Sequence, residues 1–350
     1  NEAVQQGLVP AASFAFCNID KVLYSGWAGQ KTPNDPKSPA IDRDSVFWMC
    51  SQSKLVITLA LLQVLETGKI GYDTPVETII PELKNPVIVH DITASPPTYR
   101  AATKTVLMRH LLNHTSGLAY RLCERASPDG LTTAYTSSCY GGEHTVAKFF
   151  ELIKGGLPSV PLAFEPGDDW AYGWGCDIAT FVVERITGRS IEAYCQEHIF
   201  GPLGMDTTYY LTSTVKSRLV DLAIRQPQDR TLKKWEGYPA GKAFKPIISQ
   251  EVATRLFEPT LEPHAVKPIE DFTTWPHLQF GHGLCLNTED WPGRRRKGSG
   301  FWYGWAGTYY FIDPTTGIAA SFNAQVIPTK DLEVYHLWER LEEAVYSALV

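Results

Sequence analysis

The sequence has little of what disulfide-stabilised, redox or zinc proteins need. Its 350 residues include seven cysteines, and no two of them form a CxxC pair. Seven cysteines are too few for a disulfide scaffold in a chain of this length, and the missing CxxC pairs disfavour a zinc site or a thioredoxin-like centre. We therefore expect most of the cysteines to be small buried apolar residues in a reducing compartment. A chain this long can bury a large core without crosslinks.

Positive charge and long apolar runs are also scarce. Lys and Arg total 32 against 38 Asp and Glu, so the net charge is −6. This balance does not fit the basic surface with which proteins bind nucleic acids. No apolar run approaches the ~18 residues of a membrane span, and Asn1 is not followed by a charged and then apolar leader. We expect a cytoplasmic protein that has no membrane span and does not bind nucleic acid.

Several common catalytic motifs are missing from the sequence. It contains no GxSxG elbow, HExxH helix, Walker loop or GxGxxG turn. His110 and His114 are four residues apart, but they lack the accompanying glutamate and an obvious third ligand of a metalloprotease. The sequence therefore predicts no metal and no organic cofactor.

Strand-like segments lie at both ends of the chain, and helical segments lie between them. Residues 11–17 and 21–27 flank a short polar turn and predict a hairpin. Strands are predicted at 281–287, 300–303, 308–312 and 317–323, and helices at 51–67, 105–113, 176–187, 190–200 and 331–348. We predict an α+β or α/β fold with an antiparallel sheet built from both termini, flanking helices and an inserted, mostly helical domain.

The expected domain division follows from this order. Residues 1–68 with 276–350 would form the sheet-and-helix domain, and residues 69–275 the mostly helical domain. The active site is expected in the cleft between them.

The first candidate for catalysis is the SxxK motif of Ser51 and Lys54. The serine opens an apolar helix, so the lysine lies one turn along the same face, where apolar neighbours would lower its pKa. The helix N-terminus would favour negative charge on the serine oxygen. A capping serine with a solvent-reaching lysine is the alternative. A second SxxK, Ser213 to Lys216, lies in a polar stretch, and we interpret it as chance.

Two further segments could contribute to a site. Residues 169–175 read DWAYGWG, and Tyr172 could reach into a cleft, where a charged Lys54 would ease loss of the phenol proton. Alternatively, Tyr172 is a packed aromatic residue. Residues 298–307 read GSGFWYGWAG, an edge strand that could offer a backbone N–H to an oxyanion, or a plain glycine-kinked strand.

The basic run 294–297 (RRRK) is interpreted as a solvated loop. Binding of an anionic substrate group or carrier is the alternative.

In this order, the segments resemble the serine-reactive penicillin-binding protein and class C β-lactamase superfamily. Residues 110–118 (HLLNHTSGL), 183–188 (VERITG) and 199–205 (IFGPLGM) are similar to further motifs of that family. The resemblance runs collinearly from about residue 11 to residue 323 and implies a β-lactamase/transpeptidase-like fold. The chain looks most similar to the esterase-like branch and to fungal statin side-chain acyltransferases, which it resembles at residues 289–291 and 295–299.

This resemblance implies a role for each matching residue. Ser51 would be the acylated nucleophile, Lys54 its partner base, and Tyr172 the general base and acid. The backbone N–H groups of Ser51 and Trp305 would form the oxyanion hole. The residues expected to bind substrate, together with the side chain of Trp305, are Trp174, Trp302, Tyr303 and Gly304.

Three departures from the family pattern bear on the substrate. Trp302 stands where β-lactamases have the lysine of a Lys-Thr-Gly motif, and Trp174 replaces the asparagine of Tyr-x-Asn. Both changes disfavour β-lactam hydrolysis. The family also has a glycine-rich stretch and a helix where residues 238–242 run almost directly into 247–249. A deletion would explain the short connection, but we favour the explanation that a segment is missing near residues 238–244.

The resulting expectation is a serine acyltransferase of specialised metabolism. It would move an acyl group from a hydrophobic ester or thioester to an acceptor hydroxyl, with an acyl carrier as a further candidate partner. A carboxylesterase and a non-enzymatic acyl-binding sensor are the alternatives.

Overall fold

The computed structural model describes residues 1–120, 122, 146–209, 212–235 and 250–349. The strands are β1 (Ala11–Asn18), β2 (Val22–Gly29), β3 (Val87–Asp91), β4 (Thr98–Ala101), β5 (Pro161–Leu162), β6 (Ala223–Arg225), β7 (Leu232–Lys234), β8 (Leu278–Phe280), β9 (Cys285–Asn287), β10 (Gly300–Gly304), β11 (Thr308–Asp313), β12 (Ile318–Asn323) and β13 (Val326–Ile327). The α-helices are α1 (Glu2–Gln5), α2 (Ser53–Glu66), α3 (Met108–Leu112), α4 (Val146–Lys154), α5 (Gly175–Thr187), α6 (Ile191–Cys195), α7 (Ser213–Arg218), α8 (Gln250–Arg255), α9 (Val266–Thr273) and α10 (Leu332–Ser347). The residues expected to be missing near 238–244 would fall outside the described ranges.

The chain divides into two units. The first comprises Asn1–Val56, Ile199–Pro246 and Leu284–Val350, and the second comprises Ile57–His198 and Ile247–Gly283. These bounds differ from those expected from the sequence, chiefly because the segment after residue 198 groups with the two termini. The reason is a pairing between two strands that are too short to be predicted from the sequence. Strand β6 pairs in parallel with β13, which places Ile224 beside Ile327.

The sheet of the first unit is built from both ends of the chain, as predicted. Its strands follow the order β2-β1-β12-β11-β10-β9. Each adjacent pair from β2 to β9 is antiparallel. The N-terminal hairpin therefore joins the C-terminal strands through β1 and β12, where Phe14 lies opposite Phe322.

Helix α10 covers one face of this sheet. Side chains alternate across a strand, so Tyr309 and Phe311 of β11 project to the same side as Phe322 of β12. All three rings contact Trp338, which stacks on Tyr309 at a centroid distance of 5.8 Å. Asp331 caps the helix by accepting a hydrogen bond from the Val334 N–H.

The second unit contains most of α2 and the helices α3, α5 and α6. Helix α2 is apolar nearly all round and buried, as the sequence predicted. Helix α5 ends at Gly188, whose φ of 69° gives the left-handed cap that stops a helix. The small sheet β4-β3-β5 of this unit was not predicted. No helix among the described residues has both the length and the apolar character needed to cross a bilayer.

The interpretation of residues 294–297 as a solvated loop was wrong for the first two of them. Arg295 is 2% exposed and donates two hydrogen bonds of 2.7 Å to the carboxylate of Glu342, which is fully buried. Arg294 donates to the same carboxylate and to Glu339. Burial raises the pKa of the Glu342 carboxyl, but the two guanidinium groups outweigh that effect and hold it below its usual value. Arg294 and Arg295 therefore anchor α10, a role that the charge of the run alone did not indicate.

Glu342→Gln should destabilise the protein strongly, because it leaves two guanidinium groups without their buried counter-charge. We expect a loss of about 3–5 kcal/mol in the free energy of unfolding, measured by urea denaturation. Glu343→Gln, at the exposed neighbouring position, is the matched control and should change stability by less than about 0.5 kcal/mol. Equal effects of the two substitutions would contradict this account of the cluster.

Candidate active site

The turn before α2 is held in place by strands of the first unit. Gln325, fully buried, donates a hydrogen bond from its side-chain amide to the Trp48 carbonyl and accepts one from the Trp48 N–H, both at 3.0 Å. Thr308 donates from Oγ1 to the Met49 carbonyl at 3.3 Å. These contacts fix the backbone two to three residues before Ser51.

Cys50 gives this turn its shape. Its φ of 49° lies in the left-handed region that non-glycine residues rarely adopt. A 3-10 turn at Cys50–Gln52 follows and leads into α2. Ser53 closes the turn by donating from Oγ to the Cys50 carbonyl at 2.6 Å. Ser51 therefore follows a strained residue on a sharp turn at the start of a helix. Strained backbone of this kind is common at functional sites.

Ser51 and Lys54 meet as the SxxK spacing predicted. Lys54 Nζ lies 3.3 Å from Ser51 Oγ, within hydrogen-bonding distance. Both side chains are half-buried. An amine in contact with a hydroxyl at a helix N-terminus can exchange a proton with it, and this is what activation of a serine nucleophile requires.

The end of β10 approaches the same turn very closely. A Cβ at Gly304 would lie 2.5 Å from the Met49 carbonyl oxygen and 2.2 Å from Thr308 Oγ1. A side chain at this position would push the strand away from the turn, so glycine is required here. The predicted juxtaposition of this strand with the nucleophile motif is therefore present within the first unit. The expectation of an edge strand was wrong, because β10 pairs with β11 on one side and β9 on the other.

The backbone after β10 faces the residue next to the nucleophile. The backbone N–H groups of Trp305 and Ala306 lie close to Cys50 and act to lower the pKa of its thiol. Desolvation raises the pKa of the Cys50 thiol to about 12, while the two N–H groups and Lys54 act more weakly in the opposite direction. The thiol is thus neutral at physiological pH, and backbone donors lie within one residue of Ser51.

Trp302 and Tyr303 of β10 stack on each other, with ring centroids 5.1 Å apart. Tyr303 pairs with Tyr309 and stacks on it at 6.1 Å, on the face covered by α10. Trp302 is 4% exposed. Contact of the Tyr303 ring with substrate therefore stays a prediction, and the packing of this ring against Tyr309 does not support it.

Tyr172 lies in the second unit, on a segment held against the HLLNHTSGL motif. Ala171 N–H donates to the His114 carbonyl, and Trp174 N–H donates to the Leu118 carbonyl. The two segments approach so closely that a Cβ at Gly173 would lie 1.6 Å from the Leu118 carbonyl oxygen. Glycine is therefore required between Tyr172 and Trp174.

Aromatic rings surround the half-buried Tyr172. Its ring lies 4.9 Å from His114, 5.1 Å from Phe272 and 5.4 Å from Tyr120, measured between centroids. Trp174, by contrast, is 4% exposed and packs on Tyr120. Its role in substrate binding stays a prediction, because its described contacts are those of a core residue.

The second SxxK motif lies on a different kind of surface. Ser213 and Lys216 are both exposed on the short helix α7.

Comparison with known proteins shows the family of this chain. The Beta-lactamase family model matches residues 1–341. The chain belongs to the beta-lactamase family. It is 26% identical over 358 residues to a monacolin J acid methylbutanoyltransferase from Aspergillus terreus, covering 88% of this chain and 84% of that protein. It is 29% identical over 209 residues to a lovastatin esterase from Penicillium rubens, covering 59% of this chain and 50% of that protein.

A solved structure of this beta-lactamase family is similar over nearly the whole chain. The LovD9 mutant of simvastatin synthase from Aspergillus terreus superposes with a TM-score of 0.82 at 26% identity, covering 99% of this chain and 96% of that one. The predicted family and β-lactamase-like fold are confirmed, and relatives of this chain include both acyltransferases and esterases.

Several residues of this beta-lactamase family member that lie in or contact the turn before Ser51 were not predicted from the sequence. Gln325 follows β12 and gave no signal, because a lone glutamine matches no motif. Trp48 is three residues before Ser51, and Trp235 follows β7. The sequence motifs singled out neither residue, although a tryptophan three residues before a candidate nucleophile is a signal that could have pointed to Trp48.

Proposed function

We propose that this chain is a serine acyl-enzyme catalyst that transfers an acyl group from an ester or thioester to an acceptor hydroxyl. The observation that carries the proposal is the 3.3 Å contact between Lys54 Nζ and Ser51 Oγ on the turn that leads into α2. The relatives support the same chemistry, since they include an acyltransferase and an esterase.

Acylation would begin with attack of Ser51 Oγ on the substrate carbonyl carbon. Lys54 Nζ would relay the serine proton to Tyr172, and the N–H groups of Ser51 and Trp305 would stabilise the oxyanion. In comparable enzymes, removal of one oxyanion donor costs on the order of 10²–10³ in rate. The leaving alcohol or thiol would depart with a proton from Tyr172, leaving the acyl group on Ser51.

Deacylation would reverse these steps with a new nucleophile. The acceptor hydroxyl would lose its proton to Tyr172 and attack the acyl-enzyme carbonyl. Expulsion of Ser51 Oγ, which regains a proton, would release the new ester. In this proposal Tyr172 acts as base and acid in turn, a role assigned from its place in the family motif.

The residues around Ser51 favour an uncharged, hydrophobic substrate. Trp302 stands where β-lactamases have a carboxylate-binding lysine, so this cationic contact is lost. An aromatic site would bind apolar groups and reduce access of water to the acyl-enzyme. The donor would be a small hydrophobic ester or thioester, presented free or on an acyl carrier.

Hydrolysis is the second candidate function, with water in place of the acceptor alcohol. The similarity to a lovastatin esterase over 59% of this chain favours it.

Following the acyl group from an activated ester should distinguish transfer from hydrolysis. The enzyme would be incubated with a 4-nitrophenyl ester in the presence and absence of a panel of hydrophobic alcohols, and the products identified by mass spectrometry. We expect new esters whose yield rises with alcohol concentration while release of free acid falls. Free acid as the sole product with every alcohol would establish the esterase and contradict transfer.

Tyr172→Phe should cut turnover by about 10² to 10⁴, the usual contribution of a general acid or base. The fold should persist, because one hydroxyl is removed and the ring contacts remain. The measurement is kcat on a 4-nitrophenyl ester alongside the melting temperature. Tyr99→Phe, which removes a hydroxyl from a 44%-exposed ring of the same unit, is the control. Full activity of Tyr172→Phe would show that another group moves the proton.

A further inference from the structure

Three tryptophans that are far apart in the sequence meet within the first unit. The ring centroids of Trp48 and Trp235 lie 6.1 Å apart with nearly parallel planes. Trp305 meets both rings edge-on, at 5.5 Å from Trp48 and 5.6 Å from Trp235. We call these three residues the tryptophan cluster.

The tryptophan cluster adjoins the nucleophile turn on two sides. Trp48 precedes Ser51 by three residues, and its backbone is clamped by Gln325. Trp305 follows Gly304, and its backbone N–H lies close to Cys50. Cys50 packs in the same apolar group as the three rings. The geometry of the turn and the position of the rings are therefore coupled.

The chemistry of the tryptophan cluster suits a hydrocarbon group. Its rings contact one another, so they leave no space between them for a cation, and an aromatic cage for an ammonium group is disfavoured. All three side chains are half-buried, so each leaves part of its surface in water. Clustered apolar surface that stays in contact with water often marks a binding site.

We propose that Trp48, Trp235 and Trp305 form the surface that binds the acyl chain of the substrate and sets acyl-chain specificity. This inference rests on the proposed function. An acyl group on Ser51 is tethered there through both half-reactions, whereas the leaving and accepting groups exchange. Side chains that flank the nucleophile turn are therefore best placed to contact the acyl chain throughout, and an aliphatic chain of several carbons matches their apolar rings.

The test uses 4-nitrophenyl acetate, butanoate and hexanoate, which share one leaving group. For the wild type we expect kcat/KM to rise with chain length by up to about fourfold per methylene, the change expected for burial of one CH₂. Trp235→Ala should flatten this series, reducing the hexanoate-to-acetate ratio at least tenfold. Trp235→Phe should restore most of the ratio. Trp27→Ala, a 44%-exposed tryptophan of β2, is the control and should keep the wild-type ratio.

The outcomes separate failure of this inference from failure of the proposed function. A wild-type ratio in Trp235→Ala, or an equal loss on all three esters, would overturn the acyl-binding role. A preference that follows the alcohol when the acyl group is held constant would also overturn it. If the wild type turns over no ester and Ser51 resists a fluorophosphonate probe, the proposed function itself is wrong.

Discussion

The contact between Ser51 Oγ and Lys54 Nζ is the interaction on which the functional account depends. It is set by local geometry, because residues three apart at a helix entrance face the same way. It also needs the sharp turn that leads into α2. Cys50 supplies that turn with a left-handed backbone that an isolated peptide would rarely adopt. The surrounding structure must hold the turn against this strain.

The sheet of the first unit holds the turn. Gln325 clamps Trp48, Thr308 binds the Met49 carbonyl, and Gly304 allows close approach of β10. These three residues come from the C-terminal part of the chain, far in sequence from Ser51. A sheet assembled from both termini is therefore what brings backbone donors and tryptophan rings to the nucleophile. Helix α10, anchored through Glu342, covers one face of that sheet.

Much of this arrangement could be predicted from the sequence, because it depends on local patterns. The apolar run after Ser51 predicted α2, and the aromatic and β-branched runs predicted β10, β11 and β12. The buried cluster of Arg295 with Glu342 could not be predicted, since charge alone does not show whether a partner 47 residues away lies beneath it. Gln325 and Trp235 were missed for a similar reason: their roles arise from tertiary contacts that no motif records.

Identifying the residue that carries the acyl group tests the central claim most directly. The protein would be treated with a fluorophosphonate or an activated ester, digested, and its modified peptide sequenced by mass spectrometry. The account predicts one adduct, on Ser51, and none in Ser51→Ala. The exposed motif at Ser213 to Lys216 provides an internal comparison. An adduct on Ser213, or no adduct on correctly folded wild-type protein, would contradict the account.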